Sequence, residues 1–299
     1  MTDLVRIAPE VEQVLHENGP VVALETTLIA HGFPPGVGVE VGHASEAAVR
    51  AEGAVPATVA VLDGAVAVGL DDEQIERFGE AGANARKAGP RDLAPCAAQG
   101  ALGATTVGGT LAVCRLTGIR FMGTGGIGGV HRGFAERPDV SADLAELART
   151  ETLVVGSGAK SLLDVPATAE VLETLGVPVL GYRTDELPLF YAAAGGPPAS
   201  ARVESPEEAA RIARAHWQLG GAGLLLGNPP PDGLDVDDLL EQALRTAAAE
   251  NISGQAVTPF VLRFLHERSE GRTLQVNREL VAANAALAAR VAVAFSSPS

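Results

Sequence analysis

Two side chains suited to acid–base and covalent chemistry follow apolar runs in this sequence. Glu25 comes directly after the four apolar residues 21–24, so its carboxyl group is expected to be partly buried, with a raised pKa. A helix cap or a surface acid would give the same pattern. Lys160 lies in the segment GSGAKS, just past the apolar run 153–155. A helix is expected to begin soon after Lys160, with Pro166 as its first residue. The dipole of a helix N-terminus disfavours a cation, so the neutral amine that can form a Schiff base is favoured; a solvated loop lysine is the alternative.

The densest group of chemically useful residues lies at 123–143, which read GTGGIGGVHRGFAERPDVSAD. Five glycines within seven residues allow backbone N–H groups to approach a ligand closely. Asp139 and Asp143 flank Ser141, the expected N-cap of a helix that begins near Ala142. The two acids fit either the first turn of a helix, which favours negative charge, or an oxygen-rich site for Mg²⁺ or Mn²⁺.

Two glycine-rich segments resemble nucleotide-binding motifs but do not meet their requirements. GTGGIG at 123–128 matches G-x-G-x-x-G, yet no helix is expected to begin there and the next strand ends without an acid. GSGAKS at 156–161 lacks the spacing of a P-loop. The sequence therefore argues against a dinucleotide or a nucleoside triphosphate bound at either segment.

Basic and hydroxyl side chains earlier in the chain indicate a phosphate site. Lys87 and Arg91 bracket a Gly-Pro pair, and TTVGGT at 105–110 offers hydroxyl and backbone donors where a helix is expected to begin. An ordinary loop and an ordinary helix cap are the alternatives. Asn284 is a polar residue in a final helix otherwise rich in Ala and Leu, so we expect it either to bond backbone groups or to face a site.

The composition is that of a globular, core-forming protein, with 46% hydrophobic and 20% charged residues in 299. A net charge of −15 argues against general nucleic-acid binding, because phosphate backbones require basic surface. The longest apolar runs are shorter than the ~20 residues that span a bilayer. The start lacks a signal-peptide layout, and two cysteines do not suggest a disulfide framework. We expect a cytoplasmic protein without nucleic-acid or membrane partners.

Apolar runs alternate with helical segments, which indicates parallel strands joined by helical crossovers. Asp63 and Gly64 between two apolar runs predict a hairpin, so the sheet is expected to be mixed. We predict one α/β domain over 1–299, with a mixed, mostly parallel central sheet covered by helices on both faces and a helical C-terminal third. The predicted strands are 21–24, 57–62, 65–68, 105–107, 119–122, 153–155, 179–182 and 223–226.

Several long motifs occur in one order along the chain: ALETTLIAHG at 23–32, EGAVPATVAVLDG at 52–64, ARKAGPRDL at 85–93, GATTVGGT at 103–110, GTGGIGGVHRG, PDVSADL, and SGAKSLLD at 157–164. In these motifs the chain closely resembles the pseudouridine-5′-phosphate glycosidase family, also called indigoidine synthase A-like, nearly from end to end. That family splits the C–C glycosidic bond of pseudouridine 5′-phosphate into uracil and ribose 5-phosphate. The resemblance implies an α/β/α layered fold and a homotrimer.

The resemblance also implies roles for individual residues. Lys160 matches the lysine that forms an imine with C1′ of the ring-opened ribose, and Glu25 matches the proton donor. Asp139 matches the position of a Mn²⁺ ion, one per subunit, which Mg²⁺ or another divalent ion could replace. Substrate-binding or pocket-lining positions match Lys87, Val107, Thr124, His131, Ser141, Ala142, Asp143 and Asn284, to which we add Thr106 from the hydroxyl-rich segment.

One departure from the family concerns the phosphate. The family loop after the first lysine usually carries Ser-Arg-Arg-Asp, where this chain has Gly89, Pro90, Arg91 and Asp92, so one basic residue is lost. Two alternative functions remain open at this point. One is another Schiff-base enzyme using Lys160, either a sugar-phosphate lyase or aldolase or a pyridoxal-phosphate enzyme. The other is a non-catalytic protein that binds a sugar phosphate.

Overall fold

The computed structural model describes residues 4–136, 138–160, 162–252 and 257–297. Within these residues eleven strands form one sheet. In chain order the strands are β1 Val5–Ile7, β2 Val21–Glu25, β3 Val55–Leu62, β4 Ala65–Val68, β5 Arg86–Ala88, β6 Gly103–Thr105, β7 Phe121–Gly123, β8 Leu153–Gly156, β9 Val179–Tyr182, β10 Ala201–Val203 and β11 Leu224–Gly227.

Helices connect most of these strands and make up the C-terminal part of the chain. They are α1 Pro9–His16, α2 Val37–Ala51, α3 Asp72–Ala81, α4 Leu93–Ala98, α5 Val107–Thr117, α6 Ala142–Leu147, α7 Val165–Thr174, α8 Pro206–Gln218, α9 Asp237–Ala249, α10 Val257–Arg268 and α11 Arg272–Ser296. A π-helical turn, Leu28–Gly32, follows β2. Such turns are rare and occur often at functional sites.

The sheet is mixed but mostly parallel, as predicted. Its main order is β1-β4-β3-β2-β7-β8-β11-β9-β10, and β5 and β6 extend from β3. The pairs β3–β4 and β3–β6 are antiparallel, whereas β2–β7 and β7–β8 at the centre are parallel. The carboxyl ends of β2, β7 and β8 therefore meet at one edge of the sheet.

The predicted hairpin between β3 and β4 is confirmed. Asp63 and Gly64 form a two-residue loop with φ values of 49° and 76°, and Leu62 pairs with Ala65 across it. Positive φ at both loop residues is the geometry of the hairpin turn that matches strand twist. The antiparallel β4 then pairs with β1, which lies at one end of the sheet.

Residues of the central strands alternate between two apolar cores on opposite faces of the sheet. In β8, Val154 packs into the core that includes α5 and α6, whereas Leu153 and Val155 pack into the core that includes α8 and α11. Burial on both faces is typical of a parallel sheet between two layers of helices. The predicted α/β/α arrangement with a helical C-terminal segment is confirmed.

The last helix, α11, is long and apolar enough to cross a membrane by length and composition alone. Half of its most apolar window is buried within the protein, however. Leu287, Ala288 and Val291 are fully covered in the core that contains β8 and α8. The packing of α11 is that of a core helix.

Two differences from the predicted elements affect the site. The strand predicted at 105–107 ends at Thr105, because Thr106 caps α5 by accepting a hydrogen bond from Gly109 N at 3.1 Å. Lys87, predicted in a loop, lies on the three-residue strand β5. Strands this short depend on their partners for their existence, so the sequence alone did not indicate β5.

Candidate active site

Glu25 and Lys160 reach one edge of the sheet from neighbouring strand ends. Glu25 is the last residue of β2, and Lys160 follows the end of β8. Thr124 comes between them in space, directly after β7. In open parallel sheets, the carboxyl ends of the strands are where ligands bind.

Glu25 and Lys160 line a cavity of about 690 Å³, within the range that holds a nucleotide-sized ligand. Both signs of charge face it, although the chain as a whole is strongly acidic. Predicted site residues on its walls are Glu25, Lys87, Thr106, His131, Asp139, Ser141, Ala142, Asp143 and Lys160. Arg91, which the sequence placed with Lys87 in a phosphate site, lines the cavity too. Charged residues that the sequence-based prediction did not include are Asp92, Glu146 and Arg149.

The Glu25 carboxyl group is buried, with 3% of the residue exposed. Burial raises its pKa, and this effect exceeds the opposing influence of the nearby Lys160 charge and of the hydrogen bond from Thr124. Thr124 Oγ1 donates that bond to Glu25 Oε1 at 2.5 Å. Since Oε1 accepts from Thr124, Oε2 is the oxygen that can carry the acid proton.

The backbone of Lys160 is held by the glycine-rich segment. Lys160 N donates to Ile127 O at 3.1 Å, and Ile127 N donates to Gly158 O at 3.0 Å. Gly158 has φ of +85°, and a Cβ there would lie 1.8 Å from Pro188 O, so only glycine fits. The two loops thereby form a short parallel extension of β7 and β8 that fixes where Lys160 begins.

The helix predicted to begin at Pro166 is confirmed to within one residue, but its start lies too far from Lys160 to act on the amine. Helix α7 begins at Val165, where Asp164 caps it by accepting from Ala167 N at 3.0 Å. Lys160 therefore gains nothing from a helix dipole, whose effect falls off within the first turn. Its electrostatic surroundings come instead from Glu25 and from the second lysine of the chain, Lys87.

Lys87 faces the same cavity from β5. Burial lowers the pKa of Lys87, and the positive charge of Lys160 lowers it further. The carboxylates of Asp143 and Glu25 act in the opposite direction. The charges of two amines and two carboxyl groups thus influence one another within one site.

Asp143 has a structural role at the cavity wall. Its Oδ1 accepts from Gly108 N at 2.7 Å, and its Oδ2 accepts from Gly128 N at 2.8 Å. A Cβ at Gly128 would lie 2.4 Å from Ser141 Oγ and 2.8 Å from this Oδ2. The glycine-rich loop therefore lets backbone approach a carboxylate of the protein itself, and both oxygens of Asp143 are already engaged.

Asp139 is the carboxylate at which the sequence predicts a divalent cation. It lines the cavity, and its backbone carbonyl accepts from His131 N at 3.0 Å, which joins two predicted site residues. The residues that the structure describes contain no group of three or more His, Cys, Asp or Glu that could surround an ion. A divalent ion at Asp139 would have one protein carboxylate and several waters, a ligand set that suits Mg²⁺ and similar ions.

Three predicted pocket residues, Val107, Thr124 and Asn284, line neither this cavity nor the one described below. The Val107 side chain lies in the core, so its contribution to a ligand is limited to the backbone N–H that opens α5. Asn284 is fully buried, and its Nδ2 donates to Thr124 O at 2.8 Å and to Ser157 Oγ at 3.1 Å. We predicted that Asn284 either bonds backbone groups or faces a site, and the structure shows the bond to backbone.

A smaller cavity of about 30 Å³ continues from the large one. The two share Glu25, Thr27, Lys87 and Lys160. The other walls of the small cavity include Leu28, His31, Phe190, Leu262 and Asn277. Sequence reasoning did not single out His31 or Asn277. His31 lies inside the motif ALETTLIAHG, and Asn277 is a polar residue two helical turns before Asn284, so the signal that identified Asn284 was present there too.

Known proteins resemble this chain over nearly its whole length. The family described as "Indigoidine synthase A like protein" matches residues 10–294. A pseudouridine-5′-phosphate glycosidase of Streptomyces griseus is 51% identical, covering 96% of this chain and 91% of that protein. Proteins of the same name from Herpetosiphon aurantiacus and Sorangium cellulosum are 49% and 45% identical, over 99% and 98% of this chain and 99% and 94% of theirs.

Solved structures show the same fold. The prealnumycin C-glycosynthase AlnA in complex with ribulose 5-phosphate has a TM-score of 0.90 at 40% identity, over 99% of this chain and 98% of that one. An indigoidine synthase A-like protein from Thermotoga maritima has a TM-score of 0.89 at 35% identity, over 98% and 97%. The resemblance seen in the sequence is confirmed, and the chain belongs to the indigoidine synthase A-like protein family.

Proposed function

We propose that this chain reversibly cleaves the C–C glycosidic bond of pseudouridine 5′-phosphate to give uracil and ribose 5-phosphate. The observation that carries the proposal is the buried acid Glu25 beside Lys160 on one wall of a nucleotide-sized cavity. The glycosidase relatives support the reaction, and the ribulose 5-phosphate bound to AlnA supports a sugar phosphate as the ligand.

Lysine chemistry suits this bond better than a pair of carboxylates does. Carbon 5 of uracil is a poor leaving group, so hydrolysis through an oxocarbenium ion is disfavoured. In the first step the neutral amine of Lys160 adds to C1′ of the ribose. The C1′–O4′ bond breaks, and the proton released by the amine passes to O4′, which opens the sugar ring.

In the second step a proton adds to uracil C5. The electron pair of the C1′–C5 bond returns to the C5–C6 double bond, and the nitrogen lone pair of Lys160 forms the imine with C1′. Uracil leaves with hydrogen at C5. Water then adds to the imine carbon, which releases ribose 5-phosphate and restores the amine.

Glu25 is the proposed proton donor for C5. Because burial raises the pKa of Glu25, the carboxyl group can hold its proton closer to neutral pH than an exposed glutamate does. Thr124 fixes the orientation of the group through Oε1. The acid proton on Oε2 is then available to the base, and after cleavage the carboxylate can take a proton back for the reverse reaction.

The phosphate of the substrate is proposed to bind among Lys87, Arg91, Thr106 and the first backbone N–H of α5, since the next two N–H groups already donate to Asp143 and Thr106. Arg91 is the basic residue that this loop retains. Asp139 is the proposed ligand of a Mn²⁺ or Mg²⁺ ion, which when bound would offset negative charge on the substrate. Ser141 and His131 line the same cavity as Asp139.

We also propose that the chain forms a homotrimer, as its resemblance implies. Phe134 and Val140 support a partner surface near the cavity, since these apolar residues are 44% and 42% exposed. Sedimentation equilibrium of the purified protein tests the assembly. A mass of one or two chains would contradict it.

The decisive experiment combines a product assay with trapping of the imine. Incubation with uracil, ribose 5-phosphate and Mn²⁺ should yield pseudouridine 5′-phosphate, read by mass spectrometry. Borohydride should reduce the imine and leave a pentitol phosphate on Lys160, located by peptide mapping. An adduct on Lys87 instead would reassign the nucleophile, and turnover without any adduct would refute the imine.

The same experiment separates the alternative functions. A purified pyridoxal-phosphate enzyme would absorb visible light because of its cofactor. The proposed enzyme should be colourless and fully active, and such a preparation would rule out pyridoxal phosphate. A binding protein without catalysis would take up ribose 5-phosphate but form neither product nor adduct. Lys160→Ala should abolish product formation while the variant remains folded by circular dichroism.

A further inference from the structure

Two buried polar atoms face the small cavity without a hydrogen-bond partner among the residues that the structure describes. They are Nδ1 of His31 and Oδ1 of Asn277. Buried polar atoms are nearly always paired, so a pair of unpartnered atoms in one cavity indicates a group that binds there. The cavity adjoins Glu25 and Lys160, so that group belongs to the ligand of the proposed reaction.

The hydrogen-bonding role of His31 follows from its surroundings. Its Nε2 lies 3.0 Å from Ala85 O, and a carbonyl oxygen only accepts, so Nε2 carries hydrogen. Burial lowers the pKa of His31, which keeps the ring neutral. A neutral imidazole with hydrogen on Nε2 has a lone pair on Nδ1. His31 therefore offers the small cavity an acceptor.

Asn277 offers both kinds of group side by side. The residue is 1% exposed and lies on α11. Its side-chain amide has one acceptor oxygen and one donor NH₂. Together with Nδ1 of His31, the small cavity can present two acceptors and one donor to a ligand.

The remaining walls fit a flat ring. Leu28 and Leu262 are apolar, and Phe190 is held by an edge-to-face contact with Tyr191 at 4.8 Å between ring centres. A volume of about 30 Å³ is room for one or two water-sized groups. It therefore accommodates one edge of a ring, while the rest of the ring remains in the large cavity beside Glu25.

We propose that His31 and Asn277 recognise the pyrimidine base by the edge opposite to C5, an inference that rests on the proposed function. That edge carries N1–H, C2=O and N3–H, a donor, an acceptor and a donor. Nδ1 of His31 accepts from N1–H, and the amide of Asn277 accepts from N3–H and donates to O2. With this edge in the small cavity, C5 points back toward Glu25 and Lys160.

The arrangement gives a physical basis for selecting a C-linked base. In a base joined to ribose through C5, both ring N–H groups are free. In a base joined through N1, the sugar replaces the hydrogen that His31 would accept, and Nδ1 remains unpaired. Sites built to hydrogen-bond a substrate N–H reject analogues that lack it far more strongly than apolar sites do.

The test uses N1-methylpseudouridine 5′-phosphate beside pseudouridine 5′-phosphate. We expect wild type to lose about 100-fold or more in kcat/KM on the methylated substrate. His31→Ala removes the acceptor and makes room for the methyl group. The kcat/KM values of this variant for the two substrates should therefore differ by no more than about threefold. His16→Ala, on the exposed end of α1, is the matched control and should discriminate as wild type does. Equal discrimination by His31→Ala and wild type would overturn the inference.

Asn277→Leu gives a second readout that a structural role would not reproduce. The KM for uracil in the synthetic direction should rise about 30-fold or more, because the amide contacts only the base. Borohydride trapping of ribose 5-phosphate on Lys160, measured without uracil, should be unchanged. Loss of both together would show that Asn277 supports the fold, and the inference would be wrong.

The outcomes also separate this inference from the function on which it rests. If wild type forms neither product nor adduct, the proposed function fails and the base site fails with it. If wild type forms both but cleaves the methylated substrate as fast as the natural one, only the base site is wrong. That result is expected if His31 and Asn277 bind an ordered water instead of the base.

Discussion

Thr124 Oγ1 lies 2.5 Å from Glu25 Oε1, a hydrogen bond between residues 99 positions apart in the chain. The parallel pairing of β2 with β7 brings them together, since Leu24 pairs with Gly123 immediately before them. The side-chain amide of Asn284 donates a hydrogen bond to the backbone carbonyl of Thr124. The orientation of the buried acid is therefore determined by two neighbouring strands and the last helix, far from the cavity mouth.

Thr124→Val should alter the pH dependence of the reaction. The bond from Thr124 lowers the pKa of Glu25, so its removal raises a pKa that burial has already raised. In the pH profile of kcat, the decline at high pH that follows deprotonation of Glu25 should move to higher pH. The value of kcat at the optimum should fall about tenfold, because the acid is less well oriented. Thr124→Ser is the matched control and should retain the wild-type profile. A decline that moves to lower pH would contradict this assignment.

Glu25→Gln should change how stability depends on pH. The pKa of Glu25 is raised above its ordinary value of 4.5 in the folded state. Between the ordinary pKa and the raised pKa of the folded state, native Glu25 holds a proton that the unfolded chain has lost. The free energy of unfolding of wild type therefore falls as pH rises through this window. Glutamine does not titrate and still accepts from Thr124. The variant should gain stability relative to wild type, by up to about 1.4 kcal/mol per pH unit within the window.

Urea unfolding of both proteins from about pH 4 to about pH 8 measures this difference. Burial also raises the pKa of Glu46, but that residue is present in both proteins and cancels in the comparison. A difference in unfolding free energy that stays flat with pH would show that Glu25 does not hold a raised pKa.

The sequence predicted the centre of the fold because its strands are buried on both faces. The runs ending at Leu24 and Val155 are continuously apolar, and such runs are typical of parallel strands between helices. Those runs correctly placed Glu25 at the end of a strand and Lys160 just past the end of another, whereas the strand order that brings the two to one edge came from the structure. The short strands β1, β5 and β10 carry no comparable pattern, since each is three residues long and forms only against a partner.

The site was less predictable where side chains meet across long separations. The carboxylate of Asp143 accepts from Gly108 and Gly128, 35 and 15 residues away, and no local pattern encodes those bonds. His31 owes its place to a π-helical turn, which periodicity does not reveal. The number of glycines before His131 indicated close backbone approach correctly, but to a protein carboxylate.

Asp143→Ala should destabilise the protein at neutral pH. The substitution leaves the buried Gly108 amide and the part-buried Gly128 amide without an acceptor, which should cost about 3 kcal/mol of unfolding free energy. Asp139→Ala, four residues away and part-exposed, should cost no more than about 0.5 kcal/mol in metal-free buffer. Urea unfolding of the two variants measures this contrast. Equal losses would mean that the two amides find other partners.

Asp139→Asn should weaken binding of Mn²⁺ without unfolding the chain. Asp139 is the cavity carboxylate proposed to bind the ion, so losing its charge should lower the affinity for Mn²⁺ about tenfold or more. Free Mn²⁺ measured by electron paramagnetic resonance, with ribose 5-phosphate present, gives the affinity directly.

Asp92→Asn is the matched control, because Asp92 lines the same cavity but uses its Oδ2 to accept from Gly89 N at 3.0 Å. The control removes the same charge from the cavity without removing the proposed ligand, so its Mn²⁺ affinity should stay within about threefold of wild type. If the two variants lose affinity equally, the ion responds to the overall field of the cavity and Asp139 is not its ligand.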